Sequence, residues 1–213
     1  MGAPSVNHPL FARFYARVLA RNEPDELRAY RQELLAGLHG RVVELGSGPG
    51  GNFPHYPSSV TEVVAVEPEA YLREQARVAA ARAPVPVTVI DGVADALPLE
   101  DAACDAAVAC LVLCTVPDQA RALAELRRVI KPGGELRYLE HVRGASARMV
   151  RWQRAADRTF WPHMFGGCHT ARNTVAAIEA AGFMLDRHRD LRPASLPSFL
   201  PVYPQAIGIA RRA

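Results

Sequence analysis

A glycine-rich turn placed directly after an apolar run is the feature that most constrains the fold of this chain. Residues 42–45 are Val-Val-Glu-Leu, and glycine then occupies positions 46, 48 and 50. A short apolar run of this kind indicates a buried parallel strand. Glycines at alternate positions indicate a sharp backbone bend that a ligand can approach closely. The spacing E-x-G-x-G-x-G begins at Glu44 and differs from the dinucleotide fingerprint G-x-G-x-x-G.

A second acidic residue follows the next predicted strand. Residues 61–66 are rich in β-branched side chains and lead into Glu67, which lies 21 positions after Gly46. In nucleotide-binding α/β folds, an acid about 20 residues after the glycines hydrogen-bonds a ribose diol. The glycine turn and Glu67 together predict a site for a nucleoside-containing ligand. The alternative for Glu67 is a solvated acid in a turn.

Length and composition limit the classes of protein that this chain can be. Its 213 residues, 49% hydrophobic and 22% charged, suit one domain with its own core. The net charge of +3 comes from scattered arginines, and the sequence has no basic patch interleaved with aromatics, so we expect no nucleic-acid partner. No signal peptide or apolar run of membrane-spanning length is evident, which favours a cytoplasmic protein. The sequence leaves monomer and homodimer open.

The four cysteines do not have the spacing of a metal site. They are Cys104, Cys110, Cys114 and Cys168, and no C-x-x-C pair occurs among them. We therefore expect free buried thiols in a reducing cytoplasm and no metal. A metal bound by Cys110, Cys114 and Cys168 is the alternative.

Apolar periodicity predicts alternating strands and helices. The predicted strands are 41–45, 61–66, 85–90, 105–112, 135–142, 183–190 and 206–211, and the predicted helices are 9–21, 26–38, 70–83, 117–130 and 173–181. Six parallel strands closed by an antiparallel hairpin make a doubly wound α/β sheet. We expect a single domain over 1–213, with a helical cover at 1–40 and an aromatic-rich substrate lid at 144–170.

Further segments carry a family resemblance. Together with the glycine turn, residues 92–98 (GVADALP), 105–108 (DAAV) and 126–134 (LRRVIKPGG) resemble the class I S-adenosylmethionine (SAM) methyltransferases over the whole chain. The last segment is similar to the branch that methylates quinones, lipids and small molecules. The resemblance implies a Rossmann-like seven-stranded sheet of order 3-2-1-4-5-7-6, with strand 7 antiparallel and helices on both faces.

A narrower resemblance concerns the acceptor. Residues 111–114 (LVLC), 140–142 (EHV) and 167–169 (GCH), with Arg172 and Thr174, are similar to the small thiol S-methyltransferases of the methyltransferase-like group. This implies a small, fairly apolar acceptor, with a thiol preferred and O- or N-methylation of a quinone, lipid or natural product as the alternative. A non-catalytic SAM-binding regulator is an alternative of another class. A nicotinamide oxidoreductase is disfavoured by the glycine spacing.

The resemblance also implies which residues hold SAM. Glu44 and Ser47 would hold its amino-acid end, Glu67 its ribose, and Val93 with its neighbours its adenine. The full set is Tyr15, Glu44, Gly46, Ser47, Gly48, Gly50, Asn52, Glu67, Pro68, Val93, Ala94, Asp95, Cys110 and Leu111. For Tyr15 the alternative is a core aromatic. Val93 departs from the family, since many members carry an aspartate there, and Cys104 replaces a common phenylalanine.

Two histidines are candidates for a general base. A histidine titrates near neutral pH and can take a proton from a thiol, phenol or amine. His141 follows a predicted strand and His169 lies in the predicted lid, and a structural role is the alternative for each. Four aromatic residues are predicted to wall an apolar acceptor pocket, with lid packing as the alternative: Trp152, Phe160, Trp161 and Phe165. SAM carries an activated methyl group, so the resemblance implies no metal.

Overall fold

The computed structural model describes residues 8–213, and seven strands within them form one sheet. The strands are β1 (Gly40–Leu45), β2 (Val60–Val66), β3 (Val87–Ile90), β4 (Cys104–Cys110), β5 (Ile130–His141), β6 (Phe183–Leu191) and β7 (Gln205–Arg212). Their order is β3-β2-β1-β4-β5-β7-β6. Neighbouring strands from β3 to β5 are parallel, whereas β7 is antiparallel to both β5 and β6. The fold and strand order expected from the sequence are confirmed.

Seven α-helices accompany the sheet in the described part of the chain. They are α1 (Pro9–Phe14), α2 (Asp25–Leu35), α3 (Ala70–Ala80), α4 (Gln119–Val129), α5 (Ala147–Arg158), α6 (Trp161–Met164) and α7 (Thr174–Ala180). Side chains of the N-cap residues accept backbone hydrogen bonds at three of them, namely Glu69 at α3, Asp118 at α4 and Ser146 at α5. Such caps satisfy amide groups that the first turn of a helix leaves without partners.

Core residues lie on both faces of the sheet because successive strand side chains point to opposite sides. Val43 of β1 packs in the same cluster as Leu126 of α4 and Ile178 of α7. Its neighbour Val42 packs in the other cluster with Leu35 of α2. The central strands are therefore buried on both sides, as their near-continuous apolar sequences predict.

The first predicted helix and strands β3 and β5 are among the segments that differ from the prediction. The first predicted helix is not continuous, because α1 ends at Phe14 and a π-helical turn spans Tyr15–Leu19. Strand β3 begins at Val87 rather than at position 85, since Pro86 has no amide hydrogen to pair. Strand β5 begins at Ile130, opposite Cys104, and its register shifts before Glu135. The first seven residues of the predicted 1–40 cover lie outside the described residues.

The parallel strands bring several predicted residues to one edge of the sheet. β1 leads into Gly46, β2 into Glu67 and β4 into Leu111, and β5 ends at His141. The carboxyl ends of parallel strands form the ligand-binding edge of doubly wound sheets. Among residues 8–213, no helix has the length and apolar character that crossing a membrane requires.

Candidate active site

A cavity of about 1020 Å³ opens at the carboxyl edge of the sheet. Small-molecule sites commonly measure about 300–1,000 Å³, so this cavity has room for a donor and an acceptor together. The glycine turn and Glu67 line one part of it, and His141 and His169 line another. Two of the elements outside the sheet also line it: the helical segment with Tyr15 and the loop after α6.

The glycine turn has a backbone that other residues do not readily adopt. Gly46, Gly48 and Gly50 have φ angles of +61°, +55° and +89°. A Cβ on Gly46 would overlap the side chain of Val112, whereas a Cβ on Gly48 would lie 3.6 Å from the ring of Tyr15. Gly46, Ser47, Gly48 and Tyr15 line the cavity, but Gly50 does not. A Cβ on Gly50 would meet Phe53, so this glycine allows close packing behind the turn.

Glu67 joins the end of β2 to the glycine turn. Its Oε2 accepts a hydrogen bond of 2.8 Å from the Gly48 amide, and its Oε1 accepts one of 3.0 Å from the Glu69 amide. Glu67 is buried, and burial raises the pKa of its carboxyl group. Each carboxylate oxygen keeps a free lone pair. The carboxylate can therefore accept further hydrogen bonds from a ligand, and Pro68 lines the cavity beside it.

Glu44 lies at the centre of a buried polar network. Its carboxylate accepts hydrogen bonds from Asn52 Nδ2 (2.9 Å) and from the Tyr56 hydroxyl (2.7 Å). Asn52 Oδ1 accepts one of 2.7 Å from Arg31, which also pairs with Glu23 at 2.6 Å. Burial raises the pKa of Glu44 to about 7. Glu44 and Asn52 line the cavity, and Arg31 is a further lining residue that no sequence motif indicated.

The predicted adenine-binding segment lines the cavity only in part. Gly92 and Ala94 face it, whereas Val93 and Asp95 do not. The backbone of Val93 forms an isolated antiparallel β-bridge with Ala96, and the Val93 side chain is exposed. Oδ1 of Asp95 is buried without a hydrogen-bond partner among residues 8–213.

Cys110 and Leu111 line the cavity at the end of β4. Leu111 has a φ of +57°, an uncommon value for a residue with a branched side chain. Strained backbone of this kind concentrates at functional sites. Burial raises the pKa of Cys110 to about 11, so this thiol is neutral at physiological pH.

Two cysteines meet His141 at the other end of the cavity. Nδ1 of His141 lies 3.5 Å from Sγ of Cys114 and 3.6 Å from Sγ of Cys168. A hydrogen bond with Cys168, together with burial, raises the pKa of Cys114 well above that of a free thiol. The hydrogen bond from Cys114 and the contact with His141 lower the pKa of Cys168 well below that of a free thiol, although burial acts in the opposite direction. Although burial opposes it, the contact with Cys168 raises the pKa of His141.

His169 and Glu140 have different surroundings. His169 is half-buried and lines the cavity, and burial together with the charge of Arg172 lowers its pKa. The lowered pKa favours the neutral imidazole, which is the form that can accept a proton. Glu140 is fully buried behind the cavity, and its carboxylate accepts hydrogen bonds from the amides of Val112 (2.9 Å), Leu113 (2.7 Å) and Cys114 (3.2 Å). It holds the loop after β4 in place.

The structure separates the four predicted aromatics into two pairs. Trp161 and Phe165 stack with ring centroids 4.1 Å apart, and both line the cavity. Trp152 and Phe160 are respectively 41% and 39% exposed and are not part of the cavity lining. The aromatic wall therefore consists of the pair at 161 and 165, because α5 directs Trp152 away from the cavity.

A buried glutamine anchors the segment that carries Cys168. The side chain of Gln153 is fully buried, and its Nε2 lies within 3.0 Å of the carbonyl oxygens of Val142, Thr170 and Pro201. Its Oε1 accepts a hydrogen bond of 2.8 Å from the Gly144 amide. One side chain thus connects the residue after His141 to the loop after α6. The sequence pattern carries no signal for this role.

Several features of the cavity fit the donor that the sequence resemblance implies. Two buried polar atoms of residues that line it have no partner among the described residues: Ser47 Oγ and Gln205 Oε1. Buried polar atoms of this kind usually find a partner in water or a ligand. The carboxylates of Glu44 and Glu67 suit a ligand with an ammonium, a ribose and a sulfonium, and the bare backbone of the turn leaves space for it.

Comparisons with known proteins show which sequences this chain is similar to. A family model described as "Methyltransferase domain" matches residues 43–138. The chain is 34% identical over 175 residues to thiol S-methyltransferase TMT1B of Rattus norvegicus, and the match covers 79% of this chain and 69% of the relative. It is also 34% identical over 184 residues to thiol S-methyltransferase TMT1B of Homo sapiens, with 83% of this chain and 73% of the relative covered.

A solved structure has the same fold. The S-adenosylmethionine-dependent methyltransferase from Mesorhizobium loti aligns with a TM-score of 0.65, over 90% of this chain and 99% of that chain. The two sequences are 19% identical, so this likeness concerns the fold alone.

Proposed function

The chain belongs to the class I SAM-dependent methyltransferases, and we propose that it transfers the methyl group to the sulfur of a small, fairly apolar thiol. The observation that carries the proposal is a single cavity lined at one part by the glycine turn and Glu67 and at another by His141, His169 and an aromatic wall. A donor and an acceptor can meet in such a cavity. The relatives' activity on thiols supports sulfur as the acceptor atom.

The first part of the cavity would hold the donor. The backbone of Gly46–Gly48 and the Ser47 hydroxyl would contact its amino-acid end, and the Glu67 carboxylate would accept hydrogen bonds from its ribose hydroxyls. When bound, SAM supplies a methyl group that its positively charged sulfonium has already activated. The task left to the protein is to align the acceptor with that methyl group and to exclude water.

The other part would hold the acceptor. Trp161 and Phe165 form an apolar wall that suits an alkyl or aryl group rather than a charged one. A thiol has a reference pKa of about 8.5, so removing its proton near neutral pH requires only a weak base. We assign that role to His169, whose pKa is lowered by burial, because Nδ1 of the other candidate, His141, already contacts two sulfurs.

Oxygen or nitrogen acceptors are the alternatives within the same reaction class. They would be quinones, lipids or natural products that fit the same apolar wall. A phenol or alcohol holds its proton more tightly than a thiol, so such an acceptor would depend more strongly on His169. A protein that binds SAM without catalysis is the alternative outside the class.

Matched acceptors test the proposal. Thiophenol, phenol and aniline differ in the acceptor atom and little in shape, as do an alkyl thiol, alcohol and amine of equal length. Release of S-adenosylhomocysteine is measured for each acceptor. The same assay is run on His169→Ala, which removes the proposed general base, and calorimetry verifies that SAM binds. We expect turnover with the thiols. Preference for the phenol, alcohol or amines contradicts a thiol acceptor, and SAM binding without turnover on any member supports the non-catalytic alternative.

A further inference from the structure

Two sulfurs and an imidazole nitrogen converge beside the acceptor end of the cavity from three separate segments. Cys114 lies in the loop after β4, His141 ends β5, and Cys168 lies in the loop after α6. Their Sγ, Nδ1 and Sγ atoms all lie within 4.8 Å of one another. Cys114 and Cys168 are buried free thiols, and all three residues line the cavity.

The two sulfur contacts share one ring nitrogen. Nδ1 of a neutral imidazole carries either one hydrogen or one lone pair, which serves one well-aligned hydrogen bond. In a tetrahedral zinc site, Zn–S bonds of about 2.3 Å and Zn–N bonds of about 2.0 Å place sulfur and nitrogen about 3.5 Å apart. The observed separations of 3.5 Å and 3.6 Å both match that value. These two separations are those expected for ligands of one ion, and the two sulfurs lie within 4.8 Å of each other.

The donor set selects the kind of metal. Two thiolates and an imidazole suit Zn²⁺, whereas Mg²⁺ and Ca²⁺ prefer oxygen ligands. Structural zinc sites commonly have four protein ligands, and sites with three keep one position for water or substrate. Within residues 8–213, no fourth cysteine, histidine or carboxylate completes this group. Since the three residues line the cavity, the fourth position would face the cavity.

We propose that Cys114, His141 and Cys168 bind Zn²⁺, and that the fourth position of the ion binds the sulfur of the acceptor thiol. The second half of this inference rests on the proposed function. On binding, the S–H bond breaks, the sulfur keeps the electron pair and coordinates Zn²⁺, and the proton is released to solvent through the cavity. A zinc-bound thiol is deprotonated, which gives the acceptor its nucleophilic form at neutral pH. The inference departs from the expectation of free thiols drawn from cysteine spacing.

Backbone hydrogen bonds already hold the ligands in position. The Cys114 amide donates to Glu140 Oε2 at 3.2 Å, and the Cys114 carbonyl oxygen accepts from the His169 amide at 2.8 Å. The second bond ties the two cysteine loops to each other. Gln153 fixes Val142 next to His141. Such outer contacts orient metal ligands and influence metal affinity.

Metal content is the first test. The full chain is purified with Zn²⁺ and a non-thiol reductant, without chelator. The amount of zinc per chain is then measured by inductively coupled plasma mass spectrometry. We expect one zinc in the wild type and its loss in Cys114→Ser, Cys168→Ser and His141→Ala. Cys104→Ala is the matched control, since Cys104 is a buried free thiol at the other end of β4 and should leave the zinc in place. A wild-type chain that is folded but holds no zinc overturns the site.

A second measurement needs no variant. Zn²⁺ should protect Cys114 and Cys168 from alkylation by a maleimide, as mapped by peptide mass spectrometry, and should leave Cys104 unaffected. Equal alkylation of the two cysteines with and without Zn²⁺ overturns the site. The site is also overturned by a disulfide between Cys114 and Cys168 that persists under the reductant. It is overturned equally by a thiolate–imidazolium pair that takes up no metal.

Cobalt substitution tests the fourth position. Co²⁺ in this site should give thiolate charge-transfer absorption, and a small alkyl thiol should shift the visible bands where the matched alcohol does not. Unshifted bands overturn the assignment of the fourth position to the acceptor. These readings use neither SAM nor turnover. Thiol methylation by a zinc-free chain would therefore overturn the role of zinc in the reaction and leave the proposed function standing. A zinc-loaded chain without thiol turnover would overturn the proposed function and leave the metal site standing.

Discussion

The Gly48 amide donates a hydrogen bond of 2.8 Å to the Glu67 carboxylate, across 19 residues of sequence. This bond joins the glycine turn after β1 to the acid after β2, so the two sequence features that predicted a nucleoside site form one structural unit. The unit lines the cavity, and the same carboxylate retains lone pairs for a ligand. Glu67 therefore both shapes the turn and faces the donor.

Replacing Glu67 by alanine should weaken binding of S-adenosylhomocysteine by about 1–3 kcal/mol, the scale of a buried polar group that loses its partner. The loss has two sources, the ribose contact and the support of the Gly48 amide. Isothermal titration calorimetry measures it. Glu62→Ala is the control, because Glu62 lies on the strand that leads into Glu67, pairs with Arg41 and does not line the cavity. Equal affinities in wild type and Glu67→Ala would place the ribose elsewhere.

Gly48→Ala should fold and bind the donor poorly. Its positive φ costs an alanine about 1–2 kcal/mol, and the new methyl group would lie in the cavity beside Tyr15. Gly133→Ala is the matched control, since Gly133 has a φ of +79°, open space within 4 Å of where a methyl group would stand, and no place in the cavity lining. The thermal unfolding temperature should fall similarly in both variants, while calorimetry should show lost affinity only in Gly48→Ala. Normal affinity in Gly48→Ala would contradict the predicted approach of the ligand to the turn.

The free energy of unfolding should fall as the pH rises, because the buried carboxyl group of Glu44 then loses its proton. Burial raises its pKa to about 7, so between about pH 4.5 and pH 7 the folded chain retains a proton that the unfolded chain has lost. Its contribution is fully present below about pH 4.5 and is lost as the pH rises through about 7, by at most about 3 kcal/mol. Urea unfolding at about pH 5 and about pH 8 should show a smaller decline in Glu44→Gln, which stays neutral. An identical pH dependence of stability in the wild type and in Glu44→Gln would refute the raised pKa of Glu44.

Gln153→Leu should destabilise the chain strongly. The substitution leaves four buried backbone groups without the side chain that serves them, and each such loss costs about 1–3 kcal/mol. We expect the free energy of unfolding to fall by at least about 3 kcal/mol. Gln32→Leu, on the exposed face of α2, is the control and should change it little. A small effect of Gln153→Leu would mean that the loop after α6 is held by other contacts.

The sheet was predictable from sequence because its evidence is local. Each β-branched run marks a strand, and the turn glycines and Glu67 mark the ends of β1 and β2. The position of His141 at the end of β5 follows from the same pattern. The membership in the class I methyltransferases, expected from short motifs, is confirmed by the comparisons.

The acceptor end was less predictable because it depends on contacts between distant segments. Cys114 and Cys168 each lie 27 residues from His141, and no spacing rule relates the three. Gln153 is a single polar residue on a helix, and nothing in its neighbourhood signals contacts with four backbone groups. Aromatic content marked the 144–170 segment, but only the packing of α5 and α6 distinguishes Trp161, which lines the cavity, from Trp152, which does not.

A crystal structure of the complex with S-adenosylhomocysteine tests the central claim most directly. The account predicts the ribose hydroxyls on the Glu67 carboxylate, the amino-acid end on the glycine turn, and the sulfur directed toward Cys114, His141 and Cys168. The product bound in the reverse orientation, with its adenine at the three-residue cluster, would contradict it. So would a cavity that stays empty of the product at saturating concentration.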